Sequence, residues 1–156
     1  MKSCHFLTLL ALLIGSFSIN AQSIDFETLQ KLQQLSHPDK IDLLVQLGFN
    51  YKDSYKDDRT TLTNYTKGEV VAGNGGTYYQ ETISWIDGES NTLSYLISNK
   101  DYYLKMRKAI KSQCGFIKKH ESGREQYLTG SKKEDIYLSP VKSEVVKLWL
   151  IGISTH

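Results

Sequence analysis

Apolar and polar residues alternate with a period of two along much of this chain, and three stretches replace that rhythm with a helical one. Thr82-Ile83-Ser84-Trp85 and Thr92-Leu93-Ser94-Tyr95 each place apolar groups on one side and polar groups on the other. That alternation is the pattern of an antiparallel sheet with one covered face. Strands are predicted at residues 49–55, 60–65, 78–86, 92–98, 116–120, 126–129, 135–139 and 144–153. Gly-containing or charged segments such as Asp87-Gly88-Glu89, Ser122-Gly123 and Gly130-Ser131-Lys132-Lys133 separate several of them. The run Val145-Val146-Lys147-Leu148-Trp149-Leu150-Ile151 is almost continuously apolar, which predicts a strand through the sheet centre.

The helical stretches carry end signals. Ser23 is predicted to cap a helix over residues 24–35, with Phe26, Leu29, Leu32 and Leu35 on one side. Pro38 suits the first turn of a second helix ending at Leu47. Asn99 caps a third, with Asp101 in its first turn. There Tyr103, Met106, Ile110 and Cys114 share a face, while Lys105, Lys108 and Lys111 lie toward solvent. Helices covering one face of the sheet give a two-layer α+β sandwich.

The order of elements repeats. A helix ending at Gly48-Phe49 matches a helix ending at Gly115-Phe116, each glycine standing where a helix C-terminus favours a left-handed residue. Residues 83–86 match 136–139, and residues 90–97 match 143–150, with a longer first copy near residues 66–77. The expected units are residues 24–98 and 99–156, each a helical start followed by a β-meander. This order is similar to that of tandem αβ inhibitors of the β-lactamase-inhibitor-protein type and to duplicated α+β folds of the TATA-binding-protein type. The resemblance lies in element order alone. No motif of either family is matched, the inhibitors' disulfides are absent, and a fold does not carry a function with it.

Residues 1–21 are set apart by a different pattern. Lys2 precedes the apolar run Phe6-Leu7-Thr8-Leu9-Leu10-Ala11-Leu12-Leu13-Ile14, and Ala21 offers a small residue for cleavage. This reads as a secretory signal peptide, too short for a span of about 20 residues. Residues 22–156 then form one exported domain, periplasmic or extracellular. Losing Lys2 takes the formal charge from +2 to +1. So small a balance argues against nucleic acid as a partner, and no second long apolar run predicts a membrane span.

Candidate chemistry is sparse. With Cys4 in the signal, Cys114 stands alone and reads as a small buried hydrophobe. His37 and His120 read as surface histidines, and neither spacing suits a metal site. Residues 72–76, Ala-Gly-Asn-Gly-Gly, lead into a strand and lack the lysine of a phosphate loop, so they read as a hairpin turn. Asp57-Asp58 reads as a solvated turn, and the Glu134-Asp135 pair shows no hydrolase spacing. The lysine pairs 118–119 and 132–133 read as solvated faces.

No catalytic, cofactor-binding or metal residues are assigned, and no cofactor is expected. Ten tyrosines are the one compositional excess, and tyrosine suits docking surfaces. The expected function is a non-catalytic protein-binding module of inhibitor, immunity or envelope-assembly type, docking through an aromatic-bearing sheet face. The alternative is a small secreted hydrolase whose site assembles only in three dimensions.

Overall fold

A computed structural model describes residues 24–71, 75–88, 91–131, 133–141 and 146–155. The signal-peptide expectation, residues 72–74 of the glycine-rich turn and residues 144–145 of the last predicted strand lie outside these. The described elements are three helices and eight strands. They run α1 (Phe26–Gln34), α2 (His37–Gln46), β1 (Asn50–Lys56), β2 (Thr61–Val71), β3 (Thr77–Asp87), β4 (Thr92–Ile97), α3 (Lys100–Gln113), β5 (Gly115–Lys119), β6 (Glu125–Leu128), β7 (Glu134–Val141) and β8 (Leu148–Thr155). The fold is α+β and dominated by the sheet, whose strands pair antiparallel in the order β1-β2-β3-β4-β8-β7-β6-β5.

Local chemistry fixes the helix ends. Asp25, not Ser23, caps α1 by accepting the Thr28 amide at 2.8 Å. Ser36 caps α2 and donates its hydroxyl to Asp39 at 2.5 Å, with Pro38 in the first turn. Gly48 at φ +82° lets the Phe49 amide reach back to the Leu44 carbonyl at 2.9 Å. A left-handed residue is what that reversal requires, and glycine adopts it without a Cβ penalty. Asn99 caps α3 as expected, accepting the Tyr102 amide at 3.0 Å.

The two Gly-Phe helix ends are not equivalent. Gly115 has no left-handed backbone and opens β5 directly after an extended Cys114. Phe49 is buried at 1% exposure, whereas Phe116 is 60% exposed. Phe116 shares its setting with Tyr51 instead. Each precedes a register shift on an edge strand, between Tyr51 and Asp53 and between Phe116 and Lys118. Each also meets a buried tyrosine edge-on, Tyr51 against Tyr65 at 5.7 Å and Phe116 against Tyr127 at 5.5 Å.

Alternate strand positions supply the core. Tyr65, Ile83, Trp85, Leu93, Tyr95, Ile97, Tyr127, Ile136, Leu138, Ile151 and Ile153 are buried with Phe26, Leu29, Leu32, Leu44, Tyr103, Met106 and Ile110 of the helices. The pairings Tyr65–Ile83–Tyr95–Ile151–Leu138 and Tyr127–Ile136–Ile153–Leu93–Trp85 run across the sheet on that same side. Each large apolar side chain so buried is worth about 1.5–3 kcal/mol relative to exposure.

Candidate functional site

The opposite parity forms the candidate site. One row crosses all eight strands: Asp53, Asn64, Ser84, Ser94, Gly152, Tyr137, Gln126 and Lys118. It begins at a carboxylate on one edge and ends at an ammonium on the other. Its first half is hydrogen bonded in series, with Ser84 Oγ donating to Asn64 Oδ1 and Asn64 Nδ2 donating to Asp53 Oδ1, both at 2.6 Å. In the second half, Tyr137 donates its hydroxyl to Asp135 at 3.1 Å, and Arg124 lies over its ring at 5.2 Å.

Burial and a donated hydrogen bond to the Asp135 carboxylate push the Tyr137 hydroxyl above its usual range. At neutral pH it stays a neutral donor. Gly152 sits beside that ring, where an added Cβ would meet Tyr137 Cβ at 3.7 Å. Flanking rows mix aliphatic and hydroxyl groups. Leu62, Ile86 and Thr92 lie on one side, and Thr82, Leu96, Leu150 and Ser139 on the other, all partly exposed.

Most tyrosines do not serve this face. Tyr65, Tyr95, Tyr103 and Tyr127 are buried in the core. Tyr51 and Tyr55 lie on the β1 edge at 58% and 69% exposure, and only Tyr55 shares the open parity, through its pairing with Leu62. Tyr78 and Tyr137 complete the face, both partly exposed. Trp85 is core at 1% exposure, and Trp149 stacks on Tyr103 at 5.7 Å. The open face is richer in serine, threonine and leucine than in aromatic groups, since burial claimed the large rings first.

The other residues singled out in the sequence are scattered. Asp57 caps its own turn, accepting the Arg59 and Thr60 amides at 2.9 and 2.6 Å, and these bonds hold its carboxyl below the usual range. Glu134 accepts from Gln30 and Gln34, while Asp135, on the other parity, accepts from Tyr137. Two carboxylates on opposite faces do not converge on one bond. Cys114 is the partly buried C-cap of α3, and burial pushes its thiol up, which disfavours the reactive thiolate. His120 is half-buried, its Nε2 enclosed without a hydrogen-bond partner among the described residues. His37 Nδ1 lies 3.4 Å from Asp87 Oδ2.

Among the described residues no three His, Cys, Asp or Glu side chains group to hold a metal ion, and no helix is long and apolar enough to cross a membrane. A wide depression of about 630 Å³ follows α1, and among the described residues Asp25 and α1 line it. No protein-family model, curated protein or solved structure matches the chain.

Three side-chain clusters escaped the sequence reading. Lys40 is buried beneath Trp85. Its place one turn before Leu44, on the apolar side of α2, was the available signal. Arg107 grips Glu125 across α3 and β6, and Tyr95 donates its hydroxyl to Glu81 inside the core. Both depend on partners far apart in sequence.

Proposed function

We propose that the mature chain is an exported, non-catalytic protein-binding module of inhibitor, immunity or envelope-assembly type, with the half-exposed sheet face as its docking surface. The observation that supports this is the parity of burial. One set of strand positions is sealed in the core with the helices, and the other set forms a row of polar and aliphatic groups across eight strands. In this reading the helices and sheet make a two-layer sandwich of two tandem units, about residues 24–98 and 99–156. The palindromic strand order, the paired edge shifts and the matched Tyr65–Ile83 and Tyr127–Ile136 pairings support the duplication. The units meet where Ser94 pairs with Gly152, which makes that point the centre of the docking face. Replacing Ser94 by arginine puts a long charged group there and tests the surface directly.

Export rests on Lys2, the apolar run from Phe6 and the small residue Ala21. Intact-mass measurement of exported material is expected to show a chain beginning near Gln22. Exported protein that retains residues 1–21 would contradict it.

A hydrolase is the second reading, favoured by the His37–Asp87 contact beside a cavity. Among the described residues no serine, threonine or cysteine is hydrogen bonded to His37, so the pair lacks the nucleophile such chemistry needs. Turnover of a model ester that disappears in His37→Ala would restore this reading.

A further inference from the structure

Lys40 poses an unsolved electrostatic problem. Its side chain is only 7% exposed, yet its Nζ makes no hydrogen bond to a described residue. The ammonium lies 5.4 Å from the centre of the Trp85 ring, whose quadrupole offsets part of the charge. Asp87 is the nearby anion, but its Oδ2 is committed elsewhere. It accepts from Trp85 Nε1 at 3.1 Å and faces His37 Nδ1 at 3.4 Å. Burial lowers the Lys40 pKa and Asp87 partly restores it. The stem of Lys40 is buried while its ammonium reaches the adjoining cavity, so whatever fills that space supplies the acceptors for its three N–H donors.

The space for acceptors exists. A cavity of about 200 Å³ lies between the end of α1, the start of α2 and the facing ends of β3 and β4, with Gln33, His37, Lys40, Trp85, Asp87 and Thr92 among its described walls. Each water takes about 30 Å³, so the cavity has room for several waters or one small anion. Gln33 already spends its amide on the Asn91 carbonyl at 2.8 Å, and Thr92 spends its hydroxyl on Ser154 at 3.3 Å. The Lys40 ammonium is the one cationic donor on the described cavity wall, and the His37 ring and the remaining amide N–H groups of Gln33 and Asn91 lie beside it.

We propose that this cavity is a binding site for a small oxyanion, a carboxylate or phosphate group, held by Lys40 Nζ over the Trp85 ring with His37 as the second donor. The site is separate from the open sheet face and stands whether or not that face docks a protein. Asp87 offsets part of the cost of burying the Lys40 charge, while the guest supplies acceptors for its N–H groups.

The site carries its own reporter. Trp85 is one of two tryptophans, so Trp149→Phe leaves it as the sole indole. Inorganic phosphate and acetate are titrated separately into that variant at constant ionic strength, with fluorescence as the readout. At least one is expected to give a saturable change, and which one distinguishes phosphate from carboxylate recognition. Lys40→Met is expected to weaken it by about tenfold or more, as loss of a charge-assisted bond requires. Lys40→Arg and the surface variant Lys108→Met are expected to retain it. Circular dichroism checks that Lys40→Met is folded. If that variant does not fold, His37→Gln takes its place, with an expected weakening of about threefold. No saturation with either anion, which is the result for a cavity holding water alone, would overturn the proposal. So would a charge-removing variant that titrates like its parent.

Discussion

Trp85→Ala is expected to lower the free energy of unfolding by about 3–5 kcal/mol, the range for deleting a large buried aromatic. Trp85 is 1% exposed and is the largest of the fully buried side chains described. Tyr65 stacks on it at 5.3 Å, His37 meets it edge-on at 5.4 Å, and Lys40 covers it at 5.4 Å. Its indole N–H also holds Asp87 at 3.1 Å. Truncation opens a cavity and removes a donor from Asp87 in one step, and it exposes Lys40 to a void. Urea denaturation of the parent and variant measures the difference. A loss below about 1 kcal/mol, typical of a surface position, would mean that Trp85 is not the keystone of this core.

Arg107→Met is expected to cost about 2–3 kcal/mol at neutral pH and to flatten the acid limb of the stability profile. Arg107 donates to both oxygens of Glu125, at 3.0 Å from Nε and 2.6 Å from Nη2, and Tyr127 adds its hydroxyl at 2.9 Å. The cluster ties α3 to β6. With side-chain exposures of 33% and 12%, the pair lies between a surface bridge and a buried one, and the expected cost is set accordingly.

The Arg107 hydrogen bonds, with help from Tyr127, hold the Glu125 carboxyl down at about 2. An unfolded glutamate titrates near 4.3, so the native state binds this proton less readily than the unfolded state does. The stabilisation is complete above about 4.3 and is lost as pH falls through about 2. Without Arg107 the two values move together and that loss shrinks. Chemical denaturation at several pH values reads both effects. A variant as stable as its parent at pH 7, with the same acid profile, would contradict them.

The strands were legible because each obeys a local rule. Period-two alternation located β3 and β4 within a residue or so, and Asn99 and Gly48 marked helix ends by backbone chemistry that needs no tertiary context. Alternation also put Ile83 with Trp85 and Thr82 with Ser84 on opposite sides, as the register shows. It could not say which tyrosines would be drawn inward. Tyrosine suits either side of a half-buried sheet, and Tyr65, Tyr95 and Tyr127 went to the core with hydroxyls placed by partners such as Glu81 and Glu125.

Phe116 misled for a related reason. Gly-Phe after a helix predicts a buried ring only if the chain reverses at the glycine, and α3 instead runs straight into an edge strand. The match of residues 90–97 to 143–150 sets Leu93 against Val146, whereas the residue that pairs as Leu93 does is Ile151, each facing a core residue of the preceding strand, Trp85 and Leu138. The central β4–β8 pairing joins segments far apart in sequence, and no local pattern fixes its register.

Differential capture tests the docking role of the open face. Mature protein, its Ser94→Arg variant and a helix-side control, Lys108→Glu, are immobilised and exposed to the same extract of exported and envelope proteins. Bound proteins are quantified by mass spectrometry. Ser94 lies at the middle of the polar row, opposite Gly152, whereas Lys108 is exposed on α3. The account predicts a specific protein that the parent and Lys108→Glu retain alike and that Ser94→Arg loses by about tenfold or more, with circular dichroism unchanged. A protein retained equally by all three, or lost only with Lys108→Glu, would place binding elsewhere and contradict the assignment of this face.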